Sequence, residues 1–89
     1  MKHEKIFKRD DGSQVKLTVL CESYHGKMQY YLDVYFRRKN KRKWMEVRES
    51  GHGSLDTIYA PHGDYVSDDE IQAAKLECWH KMNPNLIKE

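Results

Sequence analysis

Apolar and polar residues alternate strictly through two stretches of the chain. Apolar side chains occupy every second position in both: Val15, Leu17, Val19 and Cys21 in the first, and Tyr30, Leu32, Val34 and Phe36 in the second. A period of two is typical of a β-strand that buries one face. We therefore predict two long strands, at about residues 14–23 and 28–38.

Two shorter strands are predicted beside them. Residues 4–9 are weakly patterned, with Ile6 as the expected inward side chain, and residues 43–48 follow the second long strand. Turn signals separate these strands, since Asp11-Gly12 and Gly26 favour a positive φ. Because the connections have hairpin length, the sequence predicts an antiparallel meander of three to four strands.

A single helix is predicted at residues 67–82. Ser67 followed by Glu70 has the spacing of a capping box. At 100° per residue the helix presents one apolar face, formed by Ile71, Ala74, Cys78 and Met82. Leu76 lies outside that face. Asn83-Pro84 ends the helix and leaves a short tail at 83–89.

The predicted order of elements is β-β-β-β-loop-α. The loop, residues 49–66, carries three glycines and a proline without a sustained period, although 55–60 could form one short extra strand. The chain of 89 residues has room for one domain. We therefore predict an α+β fold in which the helix covers one face of the sheet. The other face can remain open to solvent.

Composition narrows the class of protein. Hydrophobic residues make up 38% of the chain and charged residues 34%. The apolar runs are too short for a membrane span, and the first residues lack the apolar core of a secretory signal. Two cysteines, Cys21 and Cys78, are too few for a disulfide framework. Both fall on predicted buried faces, so we expect reduced thiols and a cytoplasmic protein.

Charge is distributed unevenly. Residues 1–48 carry thirteen Lys and Arg against six Asp and Glu, whereas residues 49–89 carry three against eight. Either this makes the molecule an electrical dipole, or folding brings the halves together and cancels much of the field.

The densest charge lies in the turn after the second long strand, where six of the seven residues 37–43 are basic. Lys and Arg supply most of the non-specific affinity for nucleic acid, and tyrosines on the outward face could stack on bases. We predict a non-catalytic protein that engages nucleic acid or a nucleic-acid-binding protein complex. The candidate residues are Arg37, Arg38, Lys39, Lys41, Arg42, Lys43, Tyr31 and Tyr35.

The order of three strands followed by one helix resembles the sheet-reading DNA-binding domains of some integrases and plant transcription factors. No sequence motif accompanies this resemblance, so it implies a topology and no residue roles.

An acidic segment near the helix start supports an alternative function. Its carboxylates could imitate a run of phosphates: Asp64, Asp68, Asp69 and Glu70. The alternative is a stoichiometric inhibitor or adaptor, such as mobile elements encode against host nucleases or defence complexes. It would dock on a protein through this segment or the basic turn.

Catalytic and metal chemistry have weaker signals. His52 with Asp56, or His62 with Asp64, could form an acid/base pair, but no catalytic motif or phosphate-binding loop accompanies them. Zinc-ligand spacings are missing as well, and Cys78 and His80 point in different directions on a helix. We therefore predict no enzyme activity, metal, cofactor or small-molecule substrate, and the sequence does not indicate an oligomeric state.

Overall fold

The structure is a computed structural model that describes residues 1–49 and 55–82. Its elements are β1 (Lys2–Lys8), β2 (Gln14–Tyr24), β3 (Lys27–Arg37), β4 (Met45–Arg48), β5 (Thr57–Tyr59), a 3-10 turn (His62–Asp64) and α1 (Asp68–Met82). The strands form one sheet in the order β1-β2-β3-β4-β5. The predicted α+β class is thus confirmed, with a mostly antiparallel sheet and a C-terminal helix. The predicted tail at 83–89 and residues 50–54 of the predicted loop lie outside the described residues.

The hairpin between β2 and β3 has the turn that its sequence predicts. Tyr24 pairs with Lys27 across the two strands, which leaves a loop of two residues. Its residues His25 and Gly26 have φ values of 50° and 77°. Positive φ at both positions defines a type I′ turn, whose twist matches that of the flanking strands.

The fifth strand departs from an antiparallel meander. β5 runs parallel to β4, with Glu46 opposite Thr57 and Arg48 opposite Tyr59. Parallel neighbours usually need a long crossover, often a helix. Here the chain has to return over only three residue positions, roughly 10 Å. Residues 49–56 connect the two strands in sequence.

The core lies between α1 and the face of the sheet that it covers. On β2 the alternating side chains Val15, Leu17, Val19 and Cys21 are at most 1% exposed. α1 packs against β2 and β1, and its Ala74 and Cys78 are fully buried. The other buried members are Val34, Val47 and Val66. The opposite face of the sheet, called the open face below, is not covered by α1.

One side chain of β1 faces opposite to the prediction. Ile6 is 52% exposed, and its cross-strand partner is Lys16, on the open face. His3 is buried instead, and Lys5 also faces the helix, where both side chains bond Glu77. A shift of one residue reverses every side chain of a strand. Phe7, which packs against the core, shares this inward face, so both its packing and the polar partners on α1 favour the observed orientation of β1.

The helix begins as its sequence predicts. Ser67 Oγ accepts a bond from the backbone N–H of Glu70, and Glu70 Oε1 accepts one from the N–H of Ser67, at 3.2 and 3.0 Å. This is a capping box. Leu76, outside the predicted apolar face, is 55% exposed. Within the described residues, no helix has the length and apolar character needed to cross a membrane.

The prediction of reduced cysteines is wrong. Cys21 and Cys78 are both fully buried, as predicted, but they form a disulfide between β2 and α1. Their Cα atoms are 6.5 Å apart, within the range that a disulfide spans. Alternation and helical period show that each cysteine faces the core. They do not show that the helix crosses β2 at this position.

Removing the disulfide should destabilise the protein strongly. The cysteines are 57 residues apart in sequence, and cross-linking such a loop stabilises a fold by about 4 kcal/mol through the entropy of the unfolded chain. We expect the double variant Cys21→Ala/Cys78→Ala to lose that much free energy of unfolding, measured by urea denaturation. Reductant should lower the stability of the wild type and leave the variant unchanged. Equal stability of the oxidised and reduced wild type would contradict the prediction.

Candidate nucleic-acid interface

The basic residues lie in the loop between β3 and β4, called the basic loop below (residues 38–44), and at the strand end that precedes it. β3 ends at Arg37 and β4 begins at Met45, so both strands are shorter here than the predicted 28–38 and 43–48. The pairing of Phe36 with Met45 closes the base of the loop. Within it, Lys41 N–H donates to Arg38 O at 3.1 Å, and Asn40 adopts a φ of 63°. Five of the six predicted cations are thus in a loop at the sheet's end.

Two cations of the loop lie beside carboxylates. Lys43 Nζ is 2.5 Å from Asp56, although both side chains are largely exposed, so this pair contributes little to stability. Lys39 packs its aliphatic stem over Gly12 in the β1–β2 turn. There Asp11 accepts hydrogen bonds from Ser13, which lower the pKa of Asp11, and Lys39 lowers it slightly further.

Three cations of the loop are available to a ligand. Arg38, Lys41 and Arg42 are exposed, and none makes an ion pair with a carboxylate in residues 1–49 or 55–82. Arg38 and Lys41 line a cleft of about 260 Å³ together with Met45 and the paired side chains of Lys43 and Asp56. The loop therefore keeps a net positive charge, because only one of its five cations pairs with a carboxylate in the described residues.

The open face beside the basic loop carries an aromatic cluster. Lys16 Nζ lies 4.9 Å from the ring centroids of both Tyr35 and Trp44. Arg37 Cζ lies 4.9 Å from the Trp44 ring, and the Arg37 guanidinium donates to Gln14 Oε1. These distances are within cation–π range. The four side chains Lys16, Tyr35, Arg37 and Trp44, called the aromatic cluster below, are all half-buried.

The two predicted stacking tyrosines have different surroundings. Tyr35 belongs to the aromatic cluster, whereas Tyr31 lies further along β3 and is 54% exposed. Between them is Asp33, opposite Thr18, whose other neighbour is Glu4. Burial raises the pKa of the Tyr35 hydroxyl, and Asp33 and Glu46 raise it further. Carboxylates therefore separate Tyr31 from the basic end of the sheet.

The acidic segment offers fewer exposed carboxylates in the structure than its sequence predicts. Asp64, Asp68 and Asp69 are exposed, but Glu70 is engaged by Arg9 of the β1–β2 turn. The guanidinium donates to both oxygens of Glu70, at 2.7 and 2.9 Å, and to Tyr65 O at 2.6 Å. The bonds from Arg9, with smaller ones from Ser67, lower the pKa of Glu70 from 4.5 to about 2. One of the four candidate carboxylates thus stabilises the fold.

The candidate acid/base residues are only partly described. His52 lies outside the described residues, and its proposed partner Asp56 pairs with Lys43. His62 Nε2 is 2.8 Å from Val47 O, to which it donates. In the described part of the chain, no hydrogen bond joins His62 to Asp64. Among the same residues, no three His, Cys, Asp or Glu side chains form a group suited to a metal, and Cys78 is held in the disulfide.

Two residues of this surface were missing from the predicted site. The alternation of β2 predicts that Lys16 faces outward. Its position beside Tyr35 depends on the register of the β2–β3 pair, which local pattern does not give. Trp44 follows the basic run directly in sequence. A search for aromatic residues next to basic runs would have added Trp44 to the predicted site.

The Arg9–Glu70 interaction should make stability depend on acid pH. Because the folded pKa of Glu70 is about 2, its contribution is present above the ordinary value of 4.5 and is lost as pH falls towards 2. We expect Glu70→Gln to lower the free energy of unfolding at pH 7 by roughly 1–2 kcal/mol. Denaturation at several pH values should show this difference shrinking between pH 5 and pH 2.

Asp69→Asn is the matched control, since it removes an exposed carboxylate from the same helical turn. Its effect should stay within about 0.5 kcal/mol. A Glu70→Gln effect that is independent of pH would contradict a role for the charged pair.

Comparison with known proteins adds no family to this description. No family model matches the sequence, and searches of curated proteins and of solved structures give no match.

Proposed function

We propose that the chain is a non-catalytic binding protein that engages nucleic acid, or a nucleoprotein complex, through its basic loop. The observation that carries this proposal is the exposure of Arg38, Lys41 and Arg42 with no described carboxylate paired to them. A surface of this kind attracts polyphosphate, because each neutralised phosphate releases condensed counterions. Arg37, Lys39 and Lys43 extend the same surface.

Ion pairs elsewhere support the choice of this loop over the acidic segment. Lys5 and Arg9 from the basic half pair with Glu77 and Glu70 from the acidic half. These contacts neutralise opposite charges along α1. Within the described residues, the positive charge of the basic loop has no such partners on α1. The acidic segment keeps Asp64, Asp68 and Asp69, two of which also complement the positive end of the helix dipole.

The proposal predicts a steep salt dependence of binding. We expect labelled oligonucleotides to bind at low salt and the logarithm of the affinity to fall linearly with the logarithm of salt concentration. The triple variant Arg38→Gln/Lys41→Gln/Arg42→Gln should reduce that slope by about 2–3 units, since each phosphate contact contributes close to one unit. Fluorescence anisotropy over a salt series measures both quantities.

A matched control removes the same charge from other positions. Lys2 and Lys27 are exposed at the far end of the sheet, and Lys75 lies on α1. The variant Lys2→Gln/Lys27→Gln/Lys75→Gln should keep the wild-type slope to within about one unit. Equal slopes for the two triple variants would mean that only net charge matters, and no binding at low salt would refute the proposal.

One observation favours the alternative of a stoichiometric protein inhibitor or adaptor. Leu76 is 55% exposed beside a largely apolar cleft of about 350 Å³, which Met28, Tyr30 and Trp79 also line. Exposed apolar surface of this kind marks protein contacts. A host protein captured by the wild type and by the Arg38/Lys41/Arg42 variant, but not by Leu76→Arg, would favour this alternative.

The cytoplasmic location remains a proposal, and the disulfide weakens it. Disulfides persist mainly in oxidising compartments, and Cys21 and Cys78 are joined. Alkylation of the protein in its own cells before lysis would count its free thiols. Two free thiols would favour the cytoplasm, and none would favour an oxidising compartment.

A further inference from the structure

We propose that the ligand of the basic loop is single-stranded nucleic acid, whose bases stack on the aromatic cluster of the open face. This inference rests on the function proposed above, since it names the class of nucleic acid that the same surface takes. It assigns Trp44 and Tyr35 to the bases. Lys16, Arg37 and the loop cations are assigned to the phosphates.

The first argument is the position of the rings. Trp44 and Tyr35 lie on the sheet face that α1 does not cover, next to Arg37 at the end of β3. Both rings are half-buried, so their orientations are restricted before a ligand arrives. A base that stacks on a restricted ring loses less side-chain entropy from the protein than one that orders a free ring.

The second argument is the combination of charge and aromatic surface. Lys16 Nζ is 4.9 Å from both ring centroids, and Arg37 Cζ is 4.9 Å from that of Trp44. Surfaces that bind single strands combine cations along the backbone with aromatic rings that accept successive bases. Gln14 holds the Arg37 guanidinium on the sheet face. The cations that would meet phosphates thus lie over the same rings that would meet bases, and a stacking base shares these rings with them.

The third argument separates single strands from duplexes. In a duplex the faces of the bases are stacked on one another, whereas unpaired bases can be splayed onto side chains. Here Arg37 lies along the sheet face, and Lys43 and Lys39 lie beside Asp56 and Asp11. Arg38, Lys41 and Arg42 stay exposed in the loop, so the cations alone do not distinguish the two forms. The half-buried rings beside them favour unpaired bases, because a duplex offers no free base faces to stack on them.

Carboxylates define the far boundary of the surface. Glu4 and Asp33 flank Thr18 across three strands, and phosphates avoid such a row. Glu46 lies opposite Tyr35 on the same face, where it pairs with Arg48. The bound strand therefore passes between this row and the basic loop. Tyr31 lies beyond the row, so it is excluded from the surface although it is exposed and aromatic.

Tryptophan fluorescence tests the inference directly. The chain has two tryptophans, and Trp79 lies on α1, away from the open face. In a Trp79→Phe variant, Trp44 is the sole reporter. We expect oligo(dT) and oligo(U) to quench its emission, and an abasic strand of equal length to bind about tenfold more weakly without quenching. A length-matched duplex should also bind more weakly than either single strand.

Substitutions at the rings give a second measurement. Trp44→Leu should weaken single-strand binding about tenfold and keep the salt slope, because no charge changes. Trp44→Tyr should restore most of the affinity. Tyr31→Leu is the matched control on the same face of β3 and should bind like the wild type. Unfolding curves establish that each variant is folded. The fluorescence measurement keeps Trp44 in place, so it tests the same contact without a substitution there.

The outcomes distinguish this inference from the function on which it rests. Equal affinity for single-stranded, duplex and abasic ligands, with unchanged Trp44 emission, would overturn base stacking and leave the basic loop as a phosphate-binding surface. Loss of binding in Tyr31→Leu equal to that in Trp44→Leu would overturn the proposed boundary. No binding of any polyanion at low salt would overturn both proposals.

Discussion

The burial of one face of β2 beneath α1 is the interaction on which the rest of the structure depends. Val15, Leu17, Val19 and Cys21 supply a continuous apolar stripe, and Ala74 lets the helix approach it closely. A chain of 89 residues can build only one such layer. The second face of the sheet therefore stays open. The aromatic cluster lies on that face because its strand residues alternate with those that point into the core.

Polar contacts then orient the helix on the sheet. Arg9 bonds Glu70 at one end of α1, while His3 and Lys5 bond Glu77 further along. These bonds lower the pKa of both carboxylates, for Glu77 mainly through Lys5. The disulfide joins the same layers covalently. Part of the charge asymmetry of the sequence therefore holds the two layers together, through Lys5–Glu77 and Arg9–Glu70.

The basic loop carries net positive charge that the packing of the core does not require. The pairing of Phe36 with Met45 closes the β3–β4 hairpin, and the exposed Arg38, Lys41 and Arg42 make no ion pair in the described part of the chain. Proteins often place charge on exposed strand ends to prevent edge association. The aromatic cluster beside this loop is the feature that such a role does not explain, because half-buried rings do not keep strands apart.

Alternation, helical periodicity and the residues at turns and caps determined the α+β class, the long strands β2 and β3, the position of the turn between them and the capping box of α1. Each of these depends on residues close together in sequence, so a local pattern contains the information. Local pattern also identified the basic loop and placed Tyr35 and Arg37 on the outward face of β3.

Only the tertiary structure decided how these elements meet. A strand's alternation fixes which residues share a face, but the face that turns inward depends on its partners. Ile6 is exposed because the opposite face of β1 packs Phe7 on the core and places His3 and Lys5 at Glu77. The disulfide likewise depends on the point at which α1 crosses β2. The contacts of Lys16 with Tyr35 and Trp44 depend on the register of the strands. These contacts join residues far apart in sequence, and their geometry arises from the packing of the whole domain.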